Sequence, residues 1–285
     1  MGIALGLLAA LCWGLSDCCA TIAARRGNVL QTVLAFHVLS TAVLAIAVAA
    51  TGGLADVGVE HVLVFLGNGV LGAAAYLLFY RALAIGPISI VSPIVSGYAA
   101  VTVLLAVLIL GEQLVGGQIA AIVIAFVGVA LASTDITKMH RIERRELGGI
   151  GLAVLSMVFI GVFLFWVAYY SEELGWLTPI FLGRIFTTLF LLALAMRGGL
   201  EQLVPRTRLL VGLVVAIATL DTVGYVAFNV GVQRADTSVV ATAAAPYAVV
   251  PIIAGVVFLH ERPAVSQWVG VAAVLVGIVF LGLFS

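Results

Sequence analysis

The chain has 285 residues, 64% of them hydrophobic and 9% charged, with 13 basic side chains against 13 acidic ones and a mean hydropathy of +1.29. A soluble globular domain is about 45 to 50% apolar and about 25% charged, so the composition excludes a water-soluble body, and its hydrophobicity excludes intrinsic disorder. Zero net charge leaves no electrostatic footprint for nucleic acid, and the bilayer is the remaining solvent.

Ten stretches come close to the roughly 20 apolar residues that cross a hydrocarbon core of about 30 Å. The first, 2–23, carries Trp13-Gly14 and Asp17. With no basic start and no clear cleavage site it reads as a membrane helix rather than a secretory signal. Cys12, Cys18 and Cys19 within it lack metal-ligand or disulfide spacing and read as small packing residues. The second, 29–50, carries His37, and the third, 62–82, sets Tyr76, Phe79 and Tyr80 at i, i+3 and i+4 beside Gly67, Gly69 and Gly72, which allow close helix contact. The fourth, 88–110, carries Tyr98 and is interrupted by Ser92-Pro93 and Ser96-Gly97, though its run Val101 to Leu110 is apolar all round; the fifth is 115–133. After a connection over 135–148 the sixth, 149–170, ends in Tyr169 and Tyr170, a headgroup-belt pattern. The seventh, 177–196, begins near Pro179 and carries Arg184, and the eighth, 209–232, carries Asp221, Tyr225, Phe228 and Asn229. The ninth, 238–259, holds Tyr247 and is interrupted by Pro246 and Pro251; the tenth is 264–284. Lipid cannot satisfy an open backbone, so each segment is expected to be a helix. Barrel strands would alternate in polarity over roughly ten residues, and none does. The expected class is an all-α integral membrane protein with ten transmembrane helices.

The halves resemble each other. At an offset of 149 residues Tyr76 falls on Tyr225, Phe79 on Phe228, Tyr98 on Tyr247, Glu112 on Glu261, Gln118 on Gln267 and Gly128 on Gly277. The first two helices match better at 147, with Gly14 on Gly161 and His37 on Arg184. Five helices per repeat is odd, so the second copy enters from the opposite side, an inverted construction that places a transporter's site near the midplane between repeats. The expected organisation is a first repeat over 1–134, a connecting loop over 135–148 and a second repeat over 149–285 around a central cavity. Eleven basic residues lie in the connections after odd-numbered helices, and only Arg234 lies after an even-numbered one. By the positive-inside rule this puts both termini outside the cytoplasm of the cell (inner) membrane.

The Trp13-Gly14 pair, the run Ala82 to Pro87, Pro179 to Arg184, and the Gly111-Glu112 and His260-Glu261 helix ends resemble the EamA family of the drug/metabolite transporter superfamily over essentially the whole chain. The resemblance implies a ten-helix basket that transports small metabolites, most often outward, and it is similar to exporters of the aromatic amino-acid type. The chain departs from the pattern at Gly97, where the family and Pro246 in the second repeat have proline, and at His260, which replaces a glycine. The family's usual cytoplasmic termini also run against the loop charges.

An ionisable residue at membrane depth is costly and suggests a functional site with a partner. Asp17, Arg184 and Asp221 are such residues, and His37 joins them as the counterpart of Arg184. The expected substrate-binding set is Trp13, Asp17, Tyr76, Tyr80, Tyr98, Arg184, Asp221, Tyr225 and Tyr247. Arg184 would face a substrate carboxylate and Asp17 or Asp221 an ammonium group; the competing reading has Arg184 as a lock, pairing Asp221 or capping carbonyls within the second repeat. His37, Asp17 and Asp221 are candidates for proton coupling, although His37 reads first as a satisfied interior residue. Glu112 and Glu261 read as solvated or tethering groups. Pro93, Gly97, Pro246 and Pro251 are expected hinges, since breakers at matching places in two halves point to a transporter's site. The expected function is export of amino acids with aromatic or apolar side chains by alternating access. The alternatives are a proton-coupled antiporter for lipophilic cations and, from a different class, a membrane-embedded enzyme on lipid-linked substrates. The enzyme reading lacks two intramembrane acids on one helix. Partners expected are a small-molecule substrate and lipid, with a single chain as the working unit and no cofactor, metal or nucleic acid.

Overall fold

The computed structural model describes residues 1–86, 88–133, 144–198, 207–250, 253 and 264–284, without the side chains of 89, 90, 93, 132, 133, 144–147, 198 and 282. Helix accounts for 89% of the fold, with no strand among the described residues. In chain order the helices are α1 (Gly2–Arg26), α2 (Val29–Ala50), α3 (Val59–Ile85), α4 (Ile88–Ser96), α5 (Tyr98–Leu105, continued by a π turn over Ala106–Leu110) and α6 (Gly116–Ser133). Then come α7 (Arg144–Tyr169), α8 (Ser171–Leu174), α9 (Leu177–Gly198), α10 (Arg208–Val232), α11 (Thr237–Ala244, continued by a 3-10 turn over Ala245–Ala248) and α12 (Val265–Phe284).

Six of these, α1, α2, α3, α7, α9 and α10, contain apolar helical stretches of 21 residues or more. At about 1.5 Å per residue each reaches across a core of about 30 Å. Shorter apolar helices run over Ile94–Leu110, Gly116–Leu131 and Val265–Leu281.

The fourth expected segment is not one helix. It divides at Gly97, whose N–H donates to the Ile94 carbonyl three residues back (3.1 Å) instead of four. A Cβ at Gly97 would meet Met157 Sδ of α7 at 2.6 Å, so α7 packs closely against the break. In the ninth segment the helix tightens into a 3-10 turn at Pro246, which has no N–H for the α-helical ladder. The side chain of Pro93, and Pro87, Pro251, His260, Glu261 and most of the 135–148 connection, lie outside the described residues.

Helix ends are satisfied locally or across the fold. Asn28 caps α2 through the Gln31 N–H and Thr207 caps α10 through the Leu210 N–H. The Arg25 guanidinium closes the C-terminal end of α3, donating to the carbonyls of Leu83 (3.2 Å) and Gly86 (2.8 Å). Gly111 ends the π turn with φ of 71°, a left-handed conformation that glycine adopts without steric cost.

Packing repeats between the halves. α1 lies against α10 as α7 lies against α3; α1 meets α11 as α7 meets α5; α2 crosses α9, and α6 crosses α12. The details follow the 147 and 149 offsets. A Cβ on Gly14 would stand 2.5 Å from the Tyr247 carbonyl, and one on Gly161 2.8 Å from the Tyr98 carbonyl. At the α6–α12 crossing a Cβ on Gly128 would meet the Val274 N at 2.6 Å, and one on Gly277 the Ala125 N at 2.8 Å. Gln118 Oε1 accepts from the Val115 N–H and Gln267 Oε1 from the Ala264 N–H. Thr41 and Thr188, themselves equivalent, share a hydrogen bond of 2.8 Å between α2 and α9. Small residues let these backbones approach, and buried polar groups tie them, as at Ser156 Oγ to the Ala75 carbonyl and Asn68 Nδ2 to the Phe163 carbonyl. Large apolar side chains such as Ile46, Leu108, Leu275 and Val279 face outward, where lipid meets them.

Candidate functional site: an aromatic cavity with two carboxylates

Between the halves lies a cavity lined by Trp13, Ser16 and Asp17 from α1, Ala75, Tyr76, Phe79 and Tyr80 from α3, Val95 and Tyr98 beside the α4–α5 break, Ile160, Phe163 and Leu164 from α7, Asp221 and Tyr225 from α10, and Tyr247. Its free volume is about 60 Å³, room for water but well below the roughly 300 to 1,000 Å³ of small-molecule pockets. Its aromatic walls pack against one another: Trp13 meets Tyr98 edge-on at 6.0 Å, Tyr98 stacks on Tyr247 at 6.1 Å, and Phe163 stacks on Tyr225 at 5.9 Å.

The carboxylates differ in their partners. Asp221 accepts from Arg184 Nη2 at 2.5 Å and from the Tyr76 hydroxyl at 3.1 Å. Arg184, only 1% exposed, lies under the rings of Tyr225 (5.0 Å) and Tyr76 (5.8 Å), so its charge is held by one acid and two π faces. Asp17 Oδ2 accepts from the Ser92 hydroxyl at 2.9 Å, and no basic side chain pairs with Asp17 among the described residues. Ser92 itself accepts at its carbonyl from the Tyr247 hydroxyl at 3.3 Å.

Eight of the nine residues expected to bind substrate thus line one cavity. Arg184 does not; it stands behind Asp221 rather than on the wall. His37 is also set back, its Nδ1 on the Val33 carbonyl at 2.9 Å and its ring edge-on to Tyr76, with Nε2 unpartnered. Glu112 reaches across the halves, its carboxylate accepting from the N–H groups of Thr237 (2.8 Å) and Ser238 (3.1 Å) at the start of α11. Ser92 and Phe163 were not foreseen as site residues. Phe163 falls at the 147 offset on Ser16, which also lines the cavity, a pairing legible in the repeat. Ser92 has no polar counterpart, and only its place before Pro93 marked it.

A membrane-embedded helical basket with a polar-rimmed aromatic cavity between repeated halves has the architecture of a membrane transporter. The chain belongs to the EamA-like transporter family, whose model matches residues 1–134 and again 147–283. It is similar in fold to a solved structure described only as "Crystal structure of protein", with a TM-score of 0.79 and 17% identity over 100% of this chain and 99% of the other. No curated protein matches the sequence.

Proposed function

We propose that the chain is a ten-helix secondary transporter, built as two inverted five-helix repeats over 1–134 and 149–285, that exports small organic amines with an aromatic or apolar body. The observation that carries this reading is the unequal treatment of the two carboxylates. Arg184 neutralises Asp221, while Asp17 meets the aromatic cavity with only a hydroxyl beside it. A cationic amine completes Asp17, and the faces of Trp13, Tyr98, Tyr225 and Tyr247 take the flat or apolar remainder. An uncompensated charge at membrane depth is expensive, so substrate cation and proton compete for Asp17, and that competition is antiport. The breaks at Gly97 and Pro246 serve as hinges for the rocking of the repeats. Loop charges support non-cytoplasmic termini in the cell membrane, and one chain supplies a complete cavity.

A second reading, amino acids, is favoured by Nε and Nη1 of Arg184, which are buried without a partner. If Arg184 turns from Asp221 it offers these donors to a substrate carboxylate. Phenethylamine and phenylalanine, which differ by that carboxylate, separate the two in proteoliposomes. Transport of the amine, lost in Asp17→Asn, supports the first; transport of phenylalanine alone, lost in Arg184→Met, supports the second. If neither moves faster than in empty vesicles across a panel of amines and amino acids, both are wrong.

A further inference from the structure

Tyr98 and Tyr247 are one position seen twice, at the 149 offset, and their rings stack across the boundary between the halves. Their hydroxyls are not treated alike. Tyr247 donates to the carbonyl of Ser92, whereas the Tyr98 hydroxyl, in a side chain 2% exposed, has no partner. By the same offset the counterpart of Ser92 is Ala241, a buried residue of α11. Its carbonyl is the acceptor that Tyr98 would use if the two halves exchanged conformations.

A symmetric scaffold has no preference between the two arrangements, but the side chains around it break the symmetry. Ser92 also holds Asp17, and the equivalents of that pair are Ala241 and Leu164, which form no such link. The described arrangement is therefore the only one of the two in which the tyrosine bond and the carboxylate bond share a residue.

We propose that Tyr98 and Tyr247 alternate as hydrogen-bond donors between the two access states, Tyr247 to Ser92 in one and Tyr98 to Ala241 in the other, and that Ser92 is the positioning residue coupling this exchange to Asp17. The inference rests on the transport reading for its two states. When Asp17 is neutralised, the Ser92 hydroxyl loses its charged partner and α4 is released at the Gly97 break. A ligand shifts an equilibrium only through unequal interaction with its states, and the Asp17–Ser92 link supplies the inequality.

The test needs no substrate, so it fails independently of the transport reading. Spin labels at Gln113 and Gln233 on one face, and at Arg81 and Arg208 on the other, report distance populations in vesicles by double electron–electron resonance, in a background with Cys12, Cys18 and Cys19 replaced by alanine. Tyr247→Phe is expected to move the populations away from the described distances and Tyr98→Phe toward them. Each shift is about fivefold, the net worth of one hydrogen bond. Asp17→Asn shifts them in the direction of Tyr247→Phe, and adds nothing in a Ser92→Ala background; Ser92→Thr, which keeps the hydroxyl, restores the response to Asp17→Asn. Tyrosine variants that move the populations the same way, or by less than twofold, overturn the exchange. An Asp17→Asn effect that persists undiminished in Ser92→Ala overturns the coupling.

Discussion

Replacing Arg184 by methionine tests the interior polar set most directly. The substitution keeps an unbranched chain and removes the cation paired with Asp221, leaving that carboxylate with the Tyr76 hydroxyl at 3.1 Å in a site 5% exposed. Removing one partner of a buried ion pair costs about 3 to 5 kcal/mol, because the other charge stays behind unpaired. Asp221→Asn leaves the guanidinium with two nitrogens already unpartnered, but its place under the rings of Tyr225 and Tyr76 persists. That loss therefore falls at the lower end, about 3 kcal/mol. The double variant buries no charge in this pair and retains an acceptor for Tyr76, so its cost falls to about 1 to 2 kcal/mol, the range of a lost neutral interaction. The expected non-additivity is then about 4 to 7 kcal/mol. Unfolding in mixed micelles, followed by tryptophan fluorescence, gives the four free energies of the cycle. Additive losses, with a coupling below about 0.5 kcal/mol, would refute the view that Arg184 and Asp221 lock each other.

A glycine at the α6–α12 crossing and one on α10 give a contrasting pair. Gly128→Ala sets a methyl against the Val274 backbone and is expected to lower stability by about 1 to 3 kcal/mol, whereas Gly212→Ala, with nothing within 4 Å, is neutral or stabilising by up to about 1 kcal/mol; thermal aggregation in detergent ranks them. Glu112→Ala removes the acceptor of the Thr237 and Ser238 N–H groups and is expected to speed hydrogen exchange there about fivefold, with Glu112→Gln intermediate. Trp13 lines the cavity, so a bound amine is expected to change tryptophan emission in the parent chain and not in Trp13→Phe; an unchanged response in the variant places the amine elsewhere.

Much of the scaffold is legible in composition and spacing, because length, apolarity and the placing of charges dictate where helices cross lipid. Segments such as Val29–Ala50 and Arg208–Val232 lie within a residue of their expected limits. The 149 offset also foretells contacts, since Gly128 and Gly277 recur as the close points of one crossing. Convergence of Trp13, Asp17 and the tyrosines follows from equivalent helix faces of the two halves turned to a common axis. The partner of a charge is not legible in this way. Whether Arg184 faces a cavity or an acid depends on a few ångströms between α9 and α10, and period and spacing carry no information at that scale. Ser92 was hidden for a related reason: a small hydroxyl has no pattern, and its role arises only where α1, α4 and Tyr247 meet.

The exchange of neighbours between the halves bears on how the protein is made. α1 leaves the ribosome well before its main partner α10, and α6, the last helix of the first half, waits for α12. Gly14 and Gly128 thus lack their partner surfaces until the second half arrives, and a chain truncated near residue 134 presents an unfinished interior rather than a domain. Synthesis of the two halves as separate polypeptides in one membrane should therefore restore the basket through those reciprocal surfaces, while either alone remains a substrate for membrane quality control.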